Sequence, residues 1–147
     1  MNSLMQKAIE QAKEGVKKGD GGPFGAVIVK NGKVIASSHN SVIKDNDPTA
    51  HAEINAIRQA CKKLGSFDLS GCEIYASCKP CPMCMGAIRW ANIEKVYFGA
   101  TSQDAAKAGF RDQEFYDYEH EKISQIDTKE AIEPFRLWMA KDDRVEY

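Results

Sequence analysis

Along the first half of the chain the apolar residues change period twice. Leu4, Ala8, Ala12 and Val16 recur every four positions after Ser3, a residue type that caps helices, and "GDGGPFG" ends the pattern. This predicts a helix over residues 3–18. "GAVIVKNGKVIASSHN" then reads as two β-rich runs around Asn31-Gly32, a dipeptide suited to a two-residue hairpin turn, so the first two strands are expected to be antiparallel. In "DNDPTAHAEINAIRQACKKLG", Asp47 and Pro48 form an N-cap and first-turn pair. Ile54, Ile57, Cys61 and Leu64 share one stripe, and Gly65 closes the second helix. "CEIYAS" is a strand, "PMCMGAIRWA" a helix from Pro82 and "EKVYFGA" another strand, a βαβ unit whose strands are expected to be parallel. Beyond Thr101 the pattern thins to a short helix at "DAAKAG", a strand at "EKISQI" and a helix at "IEPFRLWMA". Alternating periods without repeats or low-complexity linkers predict an α/β fold.

Composition limits the partners. A chain of 147 residues with 43% hydrophobic side chains is the size of one domain, taken as residues 1–147. Twenty basic against 21 acidic residues, net charge -1, gives no basic footprint for nucleic acid; a small neutral molecule fits better. "MNSLMQKAIEQAKEG" mixes charges into a helical period, and the longest apolar run, "FGAVIV", is far too short for a membrane span. A cytoplasmic location is expected. There the five cysteines, Cys61, Cys72, Cys78, Cys81 and Cys84, are metal ligands or buried thiols and not disulfides.

The chemistry gathers at two helix starts. Cys81 precedes Pro82 and Cys84 follows one turn later, so the positive end of a helix dipole favours both as thiolates, a setting for a soft divalent metal. Zinc takes three or four ligands, and His51, at the start of the second helix, is the third. The fourth position separates two readings. Cys78 would close a structural Cys3His site, whereas Glu53 near the metal without binding it would serve an open, hydrolytic one as proton shuttle. Spacing favours the open site. His-x-Glu followed by Pro-Cys-x-x-Cys matches the signature of zinc nucleobase deaminases. Elsewhere the plain readings hold: His39 and His120 as surface or strand-end residues, Met83 and Met85 as helix packing, Cys61 and Cys72 as core thiols.

"GGPFGAVIVKNG", "NDPTAHAEINAIRQAC", "SCKPCPMCMGAIRWA" and "DAAKAGF", in this order and spacing, resemble the cytidine deaminase-like fold and within it the bacterial guanine deaminases; the terminal "EY" resembles them too. The resemblance implies a three-layer α/β fold with a five-stranded mixed sheet flanked by helices. It implies one Zn2+ per chain on His51, Cys81 and Cys84, Glu53 as proton shuttle, and a homodimer, with exchange of the C-terminal segment as one arrangement. Lys79 departs from it, standing where the family commonly has an acidic residue. The zinc motifs identify the chemistry and not the base. Residues 111–121 carry five acidic residues against Arg111, a poor surface for tRNA, and a carboxylate such as Asp104 can accept from both the N1-H and the amine of guanine. By resemblance Asn40 would bond the purine, Ala52 would contact it, Phe24 and Trp90 would wall the pocket, and Tyr147 would close it. The expected reaction is hydrolytic deamination of guanine to xanthine and ammonia by a zinc-activated hydroxide. Its rivals are tRNA adenosine or cytosine deamination and a non-enzymatic zinc-stabilised binding module.

Overall fold

The computed structural model describes residues 2–118 and 122–147. These fall into two compact units, Met1–Tyr116 and Asp117–Tyr147. In the first, helix α1 (Ser3–Lys18) leads into strands β1 (Gly25–Lys30) and β2 (Lys33–His39), a single turn α2 (Val42–Asp45) and helix α3 (Ala52–Leu64). Strand β3 (Cys72–Cys78), helix α4 (Pro82–Trp90), strand β4 (Lys95–Ala100), helix α5 (Ser102–Lys107) and a 3-10 turn, Asp112–Phe115, complete it. The second unit carries α6 (Thr128–Ala131) and α7 (Glu133–Ala140). None of the described helices is long and apolar enough to cross a membrane.

The sheet order is β2-β1-β3-β4, with β1 antiparallel to both neighbours and β3 parallel to β4. Asn31 and Gly32 turn the β1–β2 hairpin with φ of 51° and 75°, the left-handed conformation that this dipeptide adopts at least cost. Because side chains alternate across a strand, β1 serves two cores. Val27 and Val29 pack with Tyr75 against Ala8 of α1, while Ala26 and Ile28 pack with Ile74 against Ala52, Ala56 and Ala60 of α3 and Ile88 of α4. Helices on both faces give the α/β/α layering expected.

Four expectations change. α1 is capped by Asn2, whose Oδ1 accepts from the N–H of Leu4 and Met5 at 2.9 and 3.0 Å, and not by Ser3. Its buried face runs through Ala8, Ala12 and Gly15, leaving Val16 51% exposed. Asp47 and Pro48 form a turn ahead of α3, with Asp47 Oδ1 accepting from the Thr49 N–H at 2.8 Å; His51 occupies the N-cap position. The described residues build four strands and not five. "EKISQI" begins at Glu121, outside the described residues, and Lys122 to Ile126 form no strand. Its apolar residues, Ile123 and Ile126, lie three apart, a spacing that cannot put both on one strand face, and both are exposed.

Candidate metal centre and its cavity

His51 and Cys81 occupy equivalent places, each the extended N-cap of a helix, at φ -70°, ψ 158° and φ -68°, ψ 168°. Neither side chain caps its own helix. Instead His51 Nδ1 lies 3.6 Å from Cys81 Sγ and 3.5 Å from Cys84 Sγ. Pro82 starts α4 where its missing N–H costs nothing, and Cys84 follows on the inner face, fully buried.

The three donors lie within 4.8 Å of one another. A tetrahedral ion with ordinary Zn–S and Zn–N bonds separates a thiolate from an imidazole nitrogen by about 3.6 Å, which is the spacing found. The soft donor set and its dimensions fit one zinc. The Cys81 thiol is pulled down to about 4, first by its hydrogen bond with Cys84, while Cys84, donor in that bond and buried, is pushed up. His51 is raised, chiefly through Cys81.

Cys78 stands apart from the cluster. Its Sγ donates to the Thr101 carbonyl at 3.5 Å, and burial pushes its thiol up to about 11, the opposite of a ligand's thiolate. The alternative in which Cys78 completes a closed site therefore loses its support, and the cluster keeps the three-ligand form of an open site. Glu53, in the first turn of α3 and 6% exposed, lines the cavity beside His51 and Cys81. Burial raises its carboxyl above the usual range, with a hydrogen bond from Cys84 opposing.

The cavity above the cluster measures about 520 Å³, the size of a small-molecule site. Phe24 forms one wall, edge-on to Phe110 with centroids 4.9 Å apart. Asn40, 5% exposed, lines it and accepts from the Val42 N–H through Oδ1 at 3.1 Å. Lys79 reaches the rim, its Nζ 4.8 Å from the centroid of Tyr116, whose hydroxyl donates to the Pro80 carbonyl at 2.9 Å.

Asp104, Trp90 and Ala52 are not among the residues that line this cavity. Asp104 Oδ2 accepts from the Thr101 N–H and Oγ1 at 2.8 and 2.9 Å, closing a capping box at the start of α5. Trp90, 68% exposed, ends α4 at the pole opposite the cysteines. Ala52, the first residue of α3, is buried in the core. Tyr147 belongs to the C-terminal unit. Conversely, Asp112 and Phe110 line the cavity although sequence reasoning passed over them. Burial first, then Cys81, raises the Asp112 carboxyl.

A family model for the zinc-binding region of cytidine and deoxycytidylate deaminases matches residues 1–100. Guanine deaminase of Bacillus subtilis (strain 168) is 47% identical over 99% of this chain and 97% of its own length. An X-ray structure of guanine deaminase from Bacillus subtilis aligns with a TM-score of 0.93 at 47% identity, covering 100% of this chain and 99% of that one. A tRNA-specific adenosine deaminase of Aquifex aeolicus is also 47% identical, but over 66% of this chain and 64% of its own. With the His-Cys-Cys cluster at the base of the cavity, these likenesses establish that the chain belongs to the cytidine and deoxycytidylate deaminase zinc-binding family.

Proposed function

We propose that the chain is a zinc-dependent guanine deaminase that converts guanine and water to xanthine and ammonia, with residues 1–147 acting as one catalytic domain. The observation that carries the reaction is Glu53, a buried carboxyl with raised pKa beside three donors spaced for zinc. Held by His51, Cys81 and Cys84, zinc would supply Lewis acidity that lowers the pKa of a water. Glu53 takes one proton of the attacking water and gives it to the ring nitrogen beside C2, then takes the second proton from the new C2 hydroxyl and gives it to the departing amine, so that C2 becomes a carbonyl as ammonia leaves. Its burial suits both halves of that shuttle, since a carboxyl moved toward neutrality holds and releases a proton with similar ease.

Asn40, its Oδ1 committed to Val42, offers Nδ2–H groups to the acceptors of the purine. Asp112 replaces Asp104 as the carboxylate that accepts from the donor edge of guanine. Phe24 and Phe110 supply the apolar wall. The choice of guanine is supported by the extent of likeness: both relatives are 47% identical where they align, but the Bacillus guanine deaminase aligns with 99% of this chain and the Aquifex tRNA enzyme with 66%. A homodimer is supported by the exposed apolar side chains Phe98 on β4 and Met83, Met85 and Trp90 on α4, which a second copy would cover. In it, Tyr147 would close the site, with the C-terminal segment exchanged between subunits. All five cysteines are unpaired, in keeping with a cytoplasmic setting.

The test is ammonia release by zinc-loaded protein from guanine, cytosine and an adenosine-bearing tRNA anticodon stem-loop. Guanine is expected to be preferred by about 100-fold or more, with xanthine as product. Preference for either other substrate would overturn the assignment, and no ammonia from any would return the chain to the class of binding modules.

A further inference from the structure

His39 ends β2 immediately before Asn40, and its ring is held from two sides. Nδ1 lies 2.9 Å from Gln11 Oε1 on α1, and Nε2 lies 2.7 Å from Asp20 Oδ2 in the loop after α1. The ring sits so close to α1 that a Cβ on Gly15 would come within 2.8 Å of its Cδ2. The Asp20 carbonyl accepts from the Ile43 and Lys44 N–H groups at 3.1 and 2.9 Å. The next residue, Gly21, packs so tightly that a Cβ there would meet Asn40 Oδ1 at 2.1 Å. From the other side, Asn55 Nδ2 donates to the His39 carbonyl at 3.0 Å. Gly21, Gly22, Asn40 and Ile43 all line the cavity. The wall that presents Asn40 is thus tied to α1 through the His39 imidazole, beside the bond from the Asp20 N–H to the Gly15 carbonyl at 3.0 Å.

We propose that His39, clamped between Gln11 and Asp20, is a positioning residue that fixes Asn40 and the Gly21–Gly22 wall for the purine. The proposal rests on the guanine reading above. The side chains of His39 and Asp20 are only 16% and 13% exposed, so their hydrogen bond is shielded from competing water. The His39 hydrogen bond is also the first cause holding the Asp20 carboxyl below its usual range. Glu14, the other carboxylate near the ring, is occupied by Lys18 at 2.6 Å, which leaves Asp20 as the ring's acidic partner. The clamp touches neither α4 nor the metal donors. Loosening it would let Asn40 leave the orientation that meets the base, which weakens capture and spares the chemical step.

Steady-state guanine kinetics and amide hydrogen exchange on the zinc-loaded full chain test this. His39→Ala and Asp20→Ala should each raise KM about tenfold, the loss of one well-placed hydrogen bond, with kcat within about threefold and zinc retained. Asp20→Asn, which keeps an acceptor at the same reach, should restore most of the wild-type KM. The double alanine variant should be little worse than the worse single variant, because the two residues act as one contact. Exchange at the Val42, Ile43 and Lys44 amides should speed up in the alanine variants while Ile74 and Ala76 of β3 stay protected. Unchanged KM in both single variants, a fall in kcat alone, or unchanged exchange at Val42 to Lys44 would overturn the clamp. Wild-type protein inert toward guanine would instead overturn the substrate reading, and the exchange comparison would still decide the clamp.

Discussion

Glu53 sits at the second position of α3, where a carboxylate ordinarily faces water and complements the helix dipole; here the backbone turns it inward, beside His51 and Cys81. Glu53→Ala should keep one zinc per chain, measured by atomic emission, and lose about 100- to 10,000-fold in kcat. Turnover retained in the zinc-loaded variant would remove Glu53 from the mechanism. The metal ligands and this glutamate are legible in a sequence because Pro-Cys-x-x-Cys and His-x-Glu place these side chains at helix starts by local geometry alone. Aspartates are not. Asp104 and Asp112 are alike as letters, and only the fold makes one a cap and the other a cavity wall. One signal was nevertheless present: Thr101 and Asp104 have the Thr-x-x-Asp spacing of a capping box. Asp112 sits in a 3-10 turn without periodicity, so nothing local announced it.

At the scale of elements, hydrophobic period located α1, the hairpin, α3, β3, α4 and β4 well, but residue size decided which helical face is buried. α3 lays Ala52, Ala56 and Ala60 on the sheet and leaves Ile57 and Cys61 on the flank, because small side chains let the helix approach closely. α1 approaches the sheet even more tightly. A Cβ on Gly25 of β1 would lie 2.0 Å from the Ala8 carbonyl oxygen and 2.6 Å from the Ala12 nitrogen. Gly25→Ala must push helix and strand apart, and is expected to cost about 1–3 kcal/mol. Urea unfolding should show a lower midpoint at unchanged m-value. A variant as stable as the parent would mean that the α1–β1 contact gives way freely.

For the whole molecule, four aspartates at turns and caps have carboxyls held below their usual value of 3.8. Asp20 is held by His39, Asp47 by Thr49, Asp68 by Ser70 and Asp104 by Thr101. A carboxyl with a depressed folded pKa contributes stability that is present above its unfolded value and lost as pH falls through its folded one. The melting temperature should therefore drop as pH is lowered from about 4 to 2. An Asp47→Asn, Asp68→Asn double variant should lose less over that window, by calorimetry across the range. Equal acid slopes in the two proteins would show that these turns do not drive acid unfolding. The sheet's composition at this scale was legible only as far as β4. A fifth strand was expected both from the pattern at "EKISQI" and from the resemblance, although the three-residue spacing of Ile123 and Ile126 opposes it.

The central place of β1 also has a consequence in time. Its pairing with β2 needs only a two-residue turn, whereas its pairing with β3 must close the chain from Lys30 to Cys72, and the latter is the slow search. His51 lies inside the segment being closed and Cys81 beyond β3, so their meeting waits until that search is over. The metal ligands are thus late arrivals, which makes them governors of how slowly the native state comes apart and bystanders to how fast it assembles.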